Sequence, residues 1–155
     1  MRIIRTVVLV GAAGLLTSCL VFDPNVPRVP CQTNDSCSVS VAIAVQTSPF
    51  KCDVDVNPPV LDASGLTKKT ITWTFALAVD GKPVSVSLPS TQLPIQFDSS
   101  ANGVITGLAV SGNTVWGTYT PPNKGDHRYG YVVSLPAPVA AAATAVCKLD
   151  PWVVG

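Results

Sequence analysis

The chain has 155 residues, with 10 Lys+Arg, 47% hydrophobic and 12% charged residues, a length that fits one small domain. All 9 acids are Asp, and 24 Val, 14 Thr and 6 Ile stand against one Met and four Gln, a balance that favours strands over helices. A net charge of +1 without a basic run excludes nucleic acid as a partner. One His and no Glu leave little for a metal centre or a general acid–base pair, so neither cofactor, metal nor enzymatic activity is expected.

Residues 1–18 carry Arg2 and Arg5, then the apolar run 6–16, then small residues, the order of a secretory signal. The run is too short to span a bilayer as a mature helix. Leu16-Thr17-Ser18-Cys19 then resembles the lipobox of bacterial lipoprotein precursors. That resemblance implies cleavage before Cys19, diacylglyceryl transfer to its thiol and acylation of the new amino group. Two or three acyl chains hold a protein on a membrane, where one is marginal. Leu20, not Asp, follows the Cys, which in a Gram-negative envelope implies the outer membrane, facing the periplasm. Loss of the signal leaves 8 basic against 9 acidic side chains, so no charge draws the domain onto anionic lipid.

Residues 20–30 contain Pro24, Pro27 and Pro30 without periodicity and read as a semi-extended tether. We divide the chain into a signal over 1–18, anchor and tether over 19–36, and one domain over 37–155. Strand alternation follows at 38–47 and 52–57, the latter stopped by Pro58-Pro59. The strongest pattern is at 70–80, where Ile71, Trp73, Phe75, Leu77 and Val79 face one way. Asp80-Gly81 turns that strand into Val84, Val86 and Leu88, which predicts a hairpin over 70–88. Further strands are expected at 95–97, 104–110, 114–120, 128–135 and 145–154. The Ala-rich piece 139–145 fits a helical turn or a loop. Eight or nine short strands predict an all-β chain: an antiparallel Greek-key or immunoglobulin-like β-sandwich, with a small closed barrel as the alternative.

With Cys19 given to lipid, Cys31, Cys37, Cys52 and Cys147 make an even set, which in an exported chain implies two disulfides. Three pairings are open. Cys31 with Cys37 and Cys52 with Cys147 is preferred, because the first closes a short local loop and the second ties an early strand to the last. No Cys-X-X-Cys or His-containing metal spacing competes.

Asp126-His127-Arg128 lies in a polar loop and is read as a solvated tip, with His127 and Arg128 as candidate partner contacts. Among Trp73, Trp116, Tyr119, Tyr129, Tyr131 and Trp152, we assign Trp73 to the core. Trp116, Tyr119 and Trp152 are candidates for a platform that stacks on sugar rings. Asp53 and Asp55 share one strand face, short of the six or more oxygens that Ca²⁺ takes. The ending Asp150-Pro151-Trp152-Val153-Val154 loosely resembles those of small exported bacterial β-proteins, which implies no activity. The leading functional expectation is a lipid-anchored, non-enzymatic envelope module that holds a protein partner. The alternatives are a glycan- or peptidoglycan-binding module, and an inhibitor of a hydrolase acting through residues 120–128.

Overall fold

Alternation of β-branched with small polar residues puts one face of each long strand in a core and the other in water. A computed structural model describes residues 25–33, 35–65, 67–122, 127–134, 148–149 and 151–154. Its strands are β1 (Val29–Pro30), β2 (Ser36–Thr47), β3 (Phe50–Asn57), β4 (Val60–Asp62), β5 (Lys69–Val79) and β6 (Lys82–Val84). They continue as β7 (Ile95–Phe97), β8 (Ile105–Ser111), β9 (Thr114–Tyr119), β10 (Arg128–Ser134), β11 (Lys148–Leu149) and β12 (Trp152–Val154), with a 3-10 turn at Ser99–Ala101.

Two sheets form. The front sheet has the order β3-β2-β5-β9-β8, with β6 also on β5; the back sheet has the order β1-β4-β12-β10-β11, with β7 also on β10. Neither closes on itself, so the fold is an all-β sandwich and not a barrel. Its pairing departs from the all-antiparallel expectation. The central pair β2–β5 is parallel over ten register partners, and β4 is parallel to both β1 and β12. The cause is the route of the chain. β3 already lines one side of β2, so the chain crosses to the back sheet as β4 and re-enters on the other side of β2, running the same way.

Cys37, Val39, Val41, Ile43 and Val45 of β2 and Ile71, Trp73, Phe75 and Leu77 of β5 are buried, facing Leu61, Ile95, Tyr131, Val133 and Val153 from the back sheet. Each such side chain contributes about 1.5–3 kcal/mol by leaving water. Trp73 is fully buried, as expected, and meets Phe97 and Tyr131 edge-on at centroid distances of 5.9 and 5.8 Å.

The hairpin over 70–88 is shorter than expected, pairing only Lys82–Val84 with Leu77–Val79. β9 already occupies that side of β5 from Lys69 to Thr74, so β6 runs out of partner, and Leu88 instead donates its backbone N–H to Gly112. At the other end of the chain, pairing begins at Val29, inside the segment read as tether, through the β1–β4 contact. The Cys31–Cys37 disulfide clips that entry, and the Gln32 side chain bonds both backbone groups of Ser38, where β3 does not yet pair with β2.

Cys52 is also disulfide-bonded, to a partner outside the described residues. Since β11 lies against β3, Cys147, one residue before β11, is the expected partner. Peptide mapping of the oxidised chain should recover a Cys52–Cys147 fragment, and Cys52→Ser should cost about 2–5 kcal/mol in chemical denaturation. The helical turn considered for 139–145 lies outside the described residues.

Asp80, in the left-handed region at φ 49°, accepts bonds from the Thr47 backbone N–H (2.9 Å) and hydroxyl (2.7 Å), tying the β2–β3 turn to the β5–β6 turn. Those bonds hold its carboxyl below the ordinary value. A lowered folded pKa stabilises above the unfolded pKa of about 3.9 and is lost as pH falls through the folded value. Asp80→Asn, which tolerates the same backbone, should therefore lower stability across the neutral region, converge with the parent in strong acid and so flatten the acid limb of the profile.

Candidate functional site: the outer face of the front sheet

The residues that alternate with the core on β2, β5 and β9 point outward, and the registers set them in rows across the sheet. One row joins Ser36, Thr70, Thr118 and Thr106; the next joins Ser38, Thr72, Trp116 and Ala109; the third joins Asn57, Ser40, Thr74, Thr114 and Ser111. Beyond them lie Asp55-Ala42-Ala76 and Asp53-Ala44-Ala78. The three hydroxyl rows contain no charged side chain; Asp55 and Asp53 lie on the same face on edge strand β3, where Lys51 pairs with Asp53 at 2.9 Å.

Trp116 stands in the middle row and is 45% exposed. Its strand neighbours Val115, Gly117 and Tyr119 are buried, so parity alone turns the indole outward. Gly117 carries a second constraint. The register of β8 shifts between Thr106 and Ala109, where Gly107 has φ +65°, and Leu108 folds over Gly117 so closely that a Cβ there would meet Leu108 Cδ2 at 2.8 Å. The strand beneath Trp116 is thus held from behind by a packed side chain.

The other candidates do not join this face. Tyr119 is fully buried, tilted against Tyr129 at 6.4 Å, and burial pushes its hydroxyl up to about 12. Burial likewise raises Tyr131, so neither phenol presents itself to a ligand. Trp152 pairs through its backbone with Gly130 and Val60 in the back sheet, and its side chain lies outside what is described. His127 stacks on Tyr129 at 6.4 Å, and Arg128 is exposed at the start of β10; both have partners within the chain, and Asp126 lies outside the described residues, as do Cys19 and Cys147. Asp53 and Asp55 do share a strand face, and no cluster of three or more His, Cys, Asp or Glu occurs among the described residues.

Ser38, Ser40, Thr72, Thr74, Thr114 and Thr118 escaped sequence reasoning as site residues. Their signal was present: each occupies the parity opposite to a buried residue, and Trp116 shares that parity with Thr114 and Thr118. No family model matches the chain, and no curated protein aligns with it.

Proposed function

We propose that the chain is a lipid-anchored bacterial envelope lipoprotein whose sandwich is a non-enzymatic binding module for neutral glycan, with the Trp116 face as its site. The anchor rests on Leu16-Thr17-Ser18-Cys19 at the end of an apolar signal-like run, followed by a Pro-rich stretch that leads into β1. Among the described residues no helix is long and apolar enough to cross a membrane.

The observation that carries the binding reading is a half-exposed Trp116 in the middle of three hydroxyl-lined rows that hold no charged side chain. β propensity accounts for Thr and Trp on a strand but not for leaving the indole half-exposed, and a face selected for solubility alone would carry Lys and acids. An indole face stacks on the apolar face of a sugar ring while flanking hydroxyls exchange hydrogen bonds with its edge. The face suits this ligand better than a charged one.

The test is co-sedimentation of the chain from residue 19 on, with Cys19→Ser in place of the lipid; every described core strand lies within it. Purified sacculi and insoluble chitin are the solid phases, and an envelope-extract pull-down runs alongside. Sedimentation with either solid phase supports the glycan reading. A stoichiometric protein from the extract, with no sedimentation, would replace it with a protein-holding module.

A further inference from the structure

We infer that the Trp116 face takes an extended β-linked glycan chain lying across the strands, with successive rings over Trp116, Thr72 and Ser38. This deepens the glycan-binding reading and rests on it. The three residues are register partners on adjacent strands β9, β5 and β2. Neighbouring strands lie about 4.8 Å apart, close to the advance of one ring in an extended β-linked chain. The flanking rows, two residues away along each strand, lie about 6.8 Å to either side. They offer Thr70, Thr118, Thr74 and Thr114 to the edge substituents of each ring.

The geometry favours a ribbon-like chain over a coiled one. β2, β5 and β9 form a continuous hydrogen-bonded surface there, and no strand of the described residues rises from it as a wall to cradle a helix of α-linked sugar. The row is also open at the β2 end. Pairing with β3 starts only at Ser40, and at Ser38 the Gln32 side chain closes the backbone, donating to its C=O (3.4 Å) and accepting from its N–H (2.8 Å). Among the described residues no further strand lies beside β2 at Ser38 to stop a longer chain.

Charge complementarity fixes the ligand class. The three hydroxyl rows hold no charged side chain, and Asp53 and Asp55 flank them on the same face beside Lys51, so the rows themselves offer a polyanionic glycan no cation. The ligand is therefore a neutral chain of the chitin or cellulose type.

The experiment titrates the Cys19→Ser chain with chito- and cello-oligosaccharides from dimer to hexamer, with malto-oligosaccharides and an alginate oligomer as comparators, read by calorimetry. Affinity for the β-linked series should rise about tenfold from dimer to trimer and then level off, with the comparators binding at least tenfold more weakly. Thr72→Val, which keeps shape and loses the hydroxyl, should weaken the trimer several-fold, and Trp116→Tyr should retain part of the binding that Trp116→Ala loses. Equal binding of α- and β-linked chains, no gain from dimer to trimer, or preference for alginate would overturn the extended-chain inference while glycan binding stood. No binding of any oligosaccharide, together with no sedimentation on chitin or sacculi, would remove the glycan reading itself.

Discussion

Trp116→Ala is expected to lower affinity for neutral β-linked glycan by about 2 kcal/mol, roughly thirtyfold in Kd, the weight of a central aromatic anchor. The fold should survive. The indole is 45% exposed and points away from the core face of β9, so the loss in unfolding free energy should stay within about 1–2 kcal/mol, the scale of strand propensity and cross-strand pairing. The combination is diagnostic, because Val115, Gly117 and Tyr119 on the same strand are buried and their replacement would disturb binding only by disturbing the sheet. Binding and denaturation measured on one preparation separate the two effects. Equal binding by parent and variant would move the site off this face.

Trp73→Ala is expected to cost about 3–5 kcal/mol, enough to unfold much of a domain whose whole stability is of order 5–15 kcal/mol. Trp73 is fully buried at the middle of β5 and bridges the sheets through Phe97 and Tyr131, whose rings also touch at 5.0 Å. Removal leaves a cavity that two opposed sheets cannot collapse to fill. Trp73→Phe should be milder than the volume lost suggests, because the indole Nε1 is buried without a hydrogen-bond partner and the variant deletes that donor. Chemical denaturation of both variants measures the difference. A cost below about 1 kcal/mol for Trp73→Ala would contradict the packing described.

Much of this fold was legible because its long strands alternate strictly. The eleven residues of β5 and twelve of β2 announce their buried faces residue by residue, and the expected strand 95–97 appears as β7. β1 and β4 were not legible, since two or three residues cannot display a period and Pro58-Pro59 masks the start of β4. Strand direction was also hidden. Alternation is the same in parallel and antiparallel pairs, and only the detour through β4 makes β2 and β5 run together. The shortened β6 reflects competition for one side of β5, which no local pattern records.

The candidate site was legible in its aromatic and not in its surroundings. Trp116 stood out by residue type, and Tyr119 was grouped with it although an odd separation along a strand puts the two on opposite faces. Thr72 and Ser38 are 34 residues apart in sequence and become neighbours only through the β2–β5 register. A platform assembled from one residue per strand exists at the level of the sheet, above the level at which motifs operate.

The most direct test of the central claim is amide and indole chemical-shift mapping of the Cys19→Ser chain with chitotetraose. Saturable shifts confined to Ser38, Thr72, Thr74, Thr118 and the Trp116 indole are the expected result. Shifts centred on His127 and Arg128, or none at saturating ligand, would contradict it.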